Sequence, residues 1–257
     1  MKLRLALGQM GIAFGDPGAN LQNVARMVAH SAAQGADLLL LPELWSSGYD
    51  LERATELAST PDSGIFHQTA ALAKAHRIAI AGSCLARLPD GGIANMAMVF
   101  GPDGAILGAY SKIHLFGLMR EDRFLTPGSA PALFDTPWGM TGLAICYDLR
   151  FPELFRLYAS GGVKLALLPA EWPLARLTHW QTLLRARAIE NQMFVAACNR
   201  VGSDPGNLFG GHSCVISPWG DLLLELGEEE ELSMVEIDLQ EADRLRAKYP
   251  FLKDRRL

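Results

Sequence analysis

Three reactive side chains stand at the ends of apolar stretches of strand length. Glu43 follows LLLLP, Lys112 follows AILGAYS, and Cys146 ends TGLAIC. Ligands in α/β folds gather beyond the carboxyl ends of strands, so these positions bring a carboxylate, an ammonium and a thiol toward one site. Together they supply a base, an electrophile and a nucleophile, the set that acyl transfer requires. Cys146 differs from Cys84, Cys198 and Cys214 in preceding a predicted helix. Backbone N–H groups there, with Lys112, are expected to favour its thiolate, and the amide of Tyr147 is placed to donate to an oxyanion. The other three cysteines read as small buried hydrophobes. Glu43 is followed by LWSSGYD, whose aromatic and glycine residues point to a partly closed pocket. Desolvation in such a pocket would raise a carboxyl pKa into the range useful for acid–base work. Plainer roles stay open: Glu43 as a solvated strand-end charge, and Lys112 as a strand cap with its stem on apolar surface.

His114 lies two residues past Lys112 and offers a Cys–His pair instead, although no orienting acid is evident in the sequence. The remaining histidines, His30, His67, His76, His179 and His212, show no metal-ligand spacing such as HExxH. That disfavours a zinc hydrolase. Neither a GxxxxGK[ST] loop nor a GxGxxG after a strand occurs, so nucleotide-dependent chemistry has no motif.

Positioning such groups calls for alternating strands and helices. Period-2 and period-3.6 patterns give a strand over 2–10, a helix over 20–34 and a strand over 37–41. A helix over 64–76 follows, then strands over 78–86, 95–100 and 105–111, separated by the turn sequences PDGG and GPDG. A strand over 141–146 leads to a helix opened by Pro152 and closed by Gly161. Next come a strand over 164–168, a helix over 177–191 and a strand over 193–199. Residues 212–239 read as a β-meander, with Glu228, Glu229, Glu230 and Glu231 at a solvated hairpin tip. LLLLPELW at 38–45 and LALLPAEW at 165–172 match in five of eight positions, a weak internal repeat. No linker separates the halves, so 1–257 is expected to form a single domain. Two mixed sheets, each covered by helices on its outer face, accommodate this pattern.

Composition narrows the function classes. With 23 Lys+Arg against 28 Asp+Glu the net charge is −5, which argues against a nucleic-acid partner held by phosphate contacts. No apolar run approaches the ~18 residues of a membrane span, and MKLRLALGQM lacks the features of a signal peptide. Four dispersed cysteines without a CxxC pair favour a reducing, cytoplasmic setting.

At these residues the chain resembles the nitrilase superfamily of carbon–nitrogen hydrolases, which use a Glu–Lys–Cys triad. The similarity lies in LLLLPELWSSGYD, YSKIHLFG and GLAICYDLRFPELFR. It continues through LLPAEWP, HWQTLLRARAIENQMFVAACNRVG, FGGHSCVISPWGDLL and YPFLKDRRL, covering nearly the whole chain. The resemblance implies a four-layer αββα sandwich of two mixed sheets, a homodimer or larger assembly, no metal and no organic cofactor. It also implies a second glutamate between the Lys and Cys motifs, ahead of Pro-Gly; EDRFLTPG places Glu121 there. YDLRFPE and RARAIENQ look most like the omega-amidase branch, which hydrolyses the side-chain amide of 2-oxoglutaramate and related dicarboxylate monoamides. This chain has Glu171 where the family often carries an amide residue before the Trp. A carboxylate there would oppose an anionic substrate unless offset by a cation such as Arg150 or Arg176. Glu171 is therefore either a salt-bridged wall residue or a substrate contact. Arg150 is either a carboxylate anchor or a residue that bonds backbone carbonyls.

The implied chemistry is an amidase acting on non-peptide carbon–nitrogen bonds, with a thioester on Cys146 and a small amide as substrate. Nitrile and carbamoyl or ureido hydrolysis use the same triad, and an idle sandwich that binds a partner is the non-enzymatic alternative. Lys112→Ala is expected to cost ~10²–10³ in turnover without unfolding the chain. The basic, aromatic tail packs on its own domain or crosses to a second subunit. Trp172, Trp180 and Trp219 are candidates for a pocket wall or for core and interface.

Overall fold

The computed structural model describes residues 2–256. Its strands are β1 (Lys2–Gln9), β2 (Leu38–Leu40), β3 (Ala79–Arg87), β4 (Ile93–Phe100), β5 (Ile106–Ser111), β6 (Ala132–Thr136), β7 (Gly139–Leu143), β8 (Leu165–Ala170), β9 (Phe194–Asn199), β10 (Val201–Ser203), β11 (Leu208–Gly210), β12 (Cys214–Ile216), β13 (Leu222–Glu225) and β14 (Glu231–Asp238). The helices are α1 (Pro17–Ala33), α2 (Ala54–Leu57), α3 (Gly64–His76), α4 (Glu121–Phe124), α5 (Pro152–Ser160), α6 (Leu177–Asn191) and α7 (Gln240–Lys248).

Two six-stranded sheets run in the orders β14-β1-β2-β3-β4-β5 and β13-β12-β9-β8-β7-β6, with β10 and β11 forming a separate ribbon. Both sheets are mixed, and their patterns correspond. Reading the first from β14 and the second from β6, each goes antiparallel, parallel, parallel, antiparallel, antiparallel. In that correspondence β2 matches β8, the two strands that carry the LLLLPELW and LALLPAEW repeat. The short sequence match therefore marks a real equivalence of position.

Alternation along the strands builds the layers, because successive side chains point to opposite faces. Leu3, Leu5, Leu7, Leu38, Leu40, Ala79 and Ala81 join the second sheet in one buried cluster. Their neighbours Ala6, Leu39 and Ile80 face the other way, onto Val24, Val28 and Phe66 of α1 and α3. Strands buried on both faces cannot alternate apolar with polar, which is why they read as runs of Leu. Helices α5 and α6 close the opposite side through Phe155, Tyr158, Trp180, Leu184 and Ala188. The result is the αββα sandwich. Truncating a fully buried leucine such as Leu40 to Ala is expected to cost about 2–5 kcal/mol, read by chemical denaturation.

Helix starts and stops follow local chemistry. The Asp16 side chain accepts from the Ala19 amide at 3.0 Å, and Pro17 opens α1 with its fixed φ. Pro152 does the same for α5. Among the described residues no helix is long and apolar enough to cross a membrane.

Three expectations change. The strand expected over 141–146 stops at Leu143, so Cys146 instead starts a 3-10 turn. Strand β6 has no counterpart in the sequence reading; it is a half-buried edge strand in which the apolar–polar signal is weak. Residues 212–239 are not a meander: β12 and β13 pair in the second sheet, whereas β14 crosses over and pairs antiparallel with β1. The acidic run is thus an exposed link between sheets rather than a hairpin tip. Glu230 accepts from the Gly11 amide at 3.0 Å, and Gln9 Nε2 donates to the carbonyls of Gly227 and Glu229 at 2.8 and 2.7 Å. The tail lies against its own chain, with Tyr249 stacked on Trp219 at 5.2 Å and Gln192 donating to the Tyr249 carbonyl.

Candidate active site

Glu43 leaves the end of β2 after Pro42, fully buried, at the start of a turn in which Leu44 takes φ +41°. The Leu44 amide is held by Ser83 Oγ at 2.9 Å. Four donors converge on the Glu43 carboxylate. Lys112 Nζ (2.7 Å), Asn95 Nδ2 (2.8 Å) and Tyr49 Oη (2.9 Å) donate to Oε1, and the Glu171 amide (2.9 Å) donates to Oε2. Lys112 follows β5 and its ammonium also meets Glu121 Oε1 at 2.6 Å. Burial alone would discharge that ammonium, but Glu121 and Glu43 outweigh it and hold Lys112 well above the usual lysine range. Glu121 starts α4; its Oε1 also accepts from Tyr49 Oη at 2.6 Å and its Oε2 from the Phe116 amide at 2.6 Å. Burial raises the Glu121 carboxyl, against the pull of Lys112. The Tyr49 hydroxyl has one proton and two carboxylate neighbours, so it serves one at a time.

Cys146 adjoins this cluster, close enough for the charges of Glu43 and Lys112 to act on its thiol. It takes φ +44°, a conformation that strains any residue with a Cβ. Asp148 holds the turn. Its Oδ2 accepts from the Ile145 amide at 2.9 Å and from Tyr110 Oη at 2.8 Å, and its Oδ1 accepts from the His114 amide at 3.0 Å. His114 Nδ1 lies 2.7 Å from the same Oδ1, and its ring stacks on Phe151 with centroids 3.7 Å apart. Asp148 therefore ties the cysteine turn to the segment that carries Lys112. Asp148→Ala is expected to destabilise the chain by on the order of 3 kcal/mol, because it strips partners from buried donors; a denaturation midpoint checks this.

The structure brings together Glu43, Lys112, Glu121 and Cys146. It does not bring His114 to the thiol: that ring is engaged by Asp148 and Phe151, and Asp148 is the orienting acid the sequence did not reveal. The expected thiolate is also corrected. Burial and the Glu43 charge push the Cys146 thiol far above its ordinary range, and Lys112 only partly opposes them. Cys146 rests as a thiol, and a base must take its proton on attack. Burial likewise pushes Cys84 and Cys198 up to about 12, and raises Cys214 too. The four cysteines are unbridged.

A cavity opens in front of Cys146, lined by Phe116, Tyr147, Arg150, Glu171, Trp172 and Arg176. Tyr147 follows the cysteine in the first turn of the 3-10 segment, where N–H groups have no partner within the helix. The Arg150 guanidinium stacks over Trp172 at 4.8 Å and contacts His179 Nδ1 at 3.3 Å; that of Arg176 lies 5.3 Å over Phe116. The backbone-bonding role considered for Arg150 belongs to Arg187, whose Nη2 and Nε donate to the Leu149 carbonyl at 2.8 and 3.1 Å. Nor do Arg150 and Arg176 neutralise Glu171. Arg200, which follows β9 beside β8, donates from Nη1 to Glu171 Oε2 at 2.6 Å, and both side chains are fully buried. Trp172 is cavity wall, Trp180 packs behind it, and Trp219 lies on the surface.

Tyr49, Asn95, Asp148 and Arg200 were missed in the sequence. Tyr49 and Asp148 lie within the segments that carry Glu43 and Cys146, and their nearness was an available signal. Asn95 and Arg200 reach the site only through strand pairing.

A model of the carbon–nitrogen hydrolase family matches residues 4–247. The chain belongs to the carbon–nitrogen hydrolase family. This carbon–nitrogen hydrolase is 41% identical over 254 residues to the 2-oxoglutaramate amidase of Bacillus subtilis (strain 168), spanning 99% of this chain and 98% of that protein. Its fold matches a CN-hydrolase superfamily protein from Xanthomonas campestris, crystallised with an arsenic adduct in the active site. The TM-score is 0.93 at 33% identity, covering 100% of this chain and 98% of the other. It also matches a variant of the amidase from Nesterenkonia sp. AN1 that carries the acetamide moiety of fluoroacetamide on its active-site cysteine. There the TM-score is 0.86 at 30% identity, with 99% of this chain and 94% of the other covered.

Proposed function

We propose that this carbon–nitrogen hydrolase is an amidase that cleaves a small omega-amide, such as that of 2-oxoglutaramate, to acid and ammonia through a thioester on Cys146. The carrying observation is the buried contact of Lys112 with Glu43, 2.7 Å long, next to a cysteine that faces a cavity. Similarity to the Bacillus amidase supports the substrate class, and the cysteine adduct in the Nesterenkonia enzyme supports the nucleophile.

In this reading Glu43 takes the Cys146 proton as sulfur attacks the amide carbonyl, and Lys112 with the Tyr147 amide stabilises the oxyanion. Glu43 returns that proton to the nitrogen, the C–N bond breaks and ammonia leaves. Water, deprotonated by Glu43, then attacks the thioester; the acid departs and the proton returns to sulfur. Glu121 orients Lys112, while Tyr147 and Glu171 contact substrate. Glu43→Gln should abolish turnover and His114→Ala should leave most of it, as measured by ammonia release; the reverse pattern would assign the base to histidine.

Arg150 and Arg176 supply positive charge at the cavity wall, suited to the substrate's remote carboxylate. Replacing either by Ala should raise KM about 10–100-fold for the anionic amide with a smaller change in kcat, the scale of a charge-assisted hydrogen bond. An uncharged amide of similar size should lose far less.

A panel of 2-oxo dicarboxylate monoamides, simple amides, nitriles and carbamoyl compounds, scored for ammonia against Cys146→Ala, tests the substrate class. Faster turnover of nitriles or carbamoyl compounds would redirect it, and no turnover above the control would leave a partner-binding sandwich. We further read the chain as a single domain that acts in a reducing, cytoplasmic setting and assembles with copies of itself. Exposed Leu157, Ile189 and Phe251 support assembly, which light scattering checks.

A further inference from the structure

Glu171 is a carboxylate that the triad does not use. Its side chain is fully buried, one oxygen is taken by Arg200, and the other, Oε1, has no hydrogen-bond partner among the described residues. A buried acceptor left unpaired is costly, so a native site that retains one calls for an explanation. Asn95, next to Glu43, also has an unpaired oxygen, but Glu171 is the one that lines the cavity with Cys146.

The position of Glu171 relative to Glu43 suggests what it meets. Its backbone N–H donates to Glu43 Oε2, so the Glu171 backbone adjoins the carboxyl that must hand a proton to the departing nitrogen. An amide nitrogen has two N–H groups, and only one can face Glu43; the other needs an acceptor.

We propose that Glu171 Oε1 holds the nitrogen that leaves the scissile amide, and so favours nitrogen over oxygen as leaving group and lets an added amine compete with water as attacking group. This rests on the amidase reading above and deepens it. As a carboxylate, Glu171 accepts an N–H. Burial pushes its pKa up to about 8 against the pull of Arg200, so near neutrality the protonated form predominates and the carboxylate is the lesser one, gaining as pH rises. In the protonated form it gives its proton to ammonia, ammonium departs to solvent, and the carboxylate left behind recovers a proton from water.

By microscopic reversibility, the same contact guides an amine onto the acyl-enzyme. The test supplies the acyl group as the methyl ester of the omega carboxyl and lets hydroxylamine compete with water, so the hydroxamate-to-acid ratio is set after acylation. In Glu171→Gln an amide oxygen retained by Arg200 leaves the NH₂ in the place of Oε1, replacing an acceptor by a donor. The ratio should fall about tenfold or more, as expected for loss of a charge-assisted hydrogen bond. An unchanged ratio overturns the proposal. Should this variant fail to fold, wild-type enzyme still decides. Ammonium should slow acid release from the ester with saturation, and tetramethylammonium, which has no N–H, should not; equal responses overturn the proposal. A wild-type enzyme that forms neither hydroxamate nor ammonia would instead refute the amidase reading itself.

Discussion

Cys146→Ala is expected to lower ammonia release by a factor on the order of 10⁶, the scale for removing a nucleophile that works as a unit with its base. The fold should survive, because the loss is a single sulfur in a turn held by Asp148 rather than by the cysteine itself. Alanine keeps a Cβ at φ +44°, so the backbone strain there is unchanged in kind. Cys146→Ser tests the chemistry more closely. Serine restores an O–H beside Glu43, but an alkoxide is harder to form than a thiolate, so activity should stay near the alanine level. Equal ammonia release by wild type and Cys146→Ala would remove the nucleophile from the account.

Lys112→Ala should produce two large effects. Turnover should fall ~10²–10³ through loss of an oxyanion donor. Stability should also fall, by about 3–5 kcal/mol, because Glu43 and Glu121 are left buried without their cation. The sequence-based expectation that this variant does not unfold is sharpened to a folded but weakened chain: a lysine 1% exposed between two buried carboxylates is part of the fold's electrostatics. The sign of its pH dependence follows. With the ammonium gone, the main opposition to burial at Glu121 is lost and only the Tyr49 and Phe116 donors remain, so its folded-state pKa, already raised, moves further above the unfolded value. A carboxyl shifted upward favours the fold below its unfolded pKa and loses that contribution as pH rises through the folded pKa. The stability gap between Lys112→Ala and wild type should therefore widen from acid toward neutral pH. Denaturant midpoints at several pH values measure it; a constant gap would mean that Glu121 is not held by Lys112.

Much of this site was legible in the sequence because its chemistry sits at strand ends. The runs around 38–41 and 165–168 announced buried parallel strands, and each led to a buried carboxylate, Glu43 and Glu171. Helix α6 matched the reading from its good helix formers at both ends, and Pro152 and Gly161 bounded α5 as their backbone preferences dictate. Other features depended on tertiary pairing. The acidic composition of 228–231 gave the solvent exposure correctly, but nothing local says that β14 crosses to β1. Strand β6 is too evenly half-buried to show a clear period. The charge state of Cys146 turns on a sum of burial, Glu43 and Lys112 that spacing cannot evaluate. Likewise, the cation facing Glu171 is Arg200 rather than Arg150 or Arg176, because β9 is the parallel neighbour of β8.

Rapid acid quench of the enzyme turning over 2-oxoglutaramate, followed by peptide mass mapping, tests the central claim most directly. The account predicts an acyl mass increment on the peptide that contains Cys146, absent from Cys146→Ala and chased to acid by continued incubation. An increment on Cys84, Cys198 or Cys214, or ammonia release with no acylated cysteine at any quench time, would contradict it.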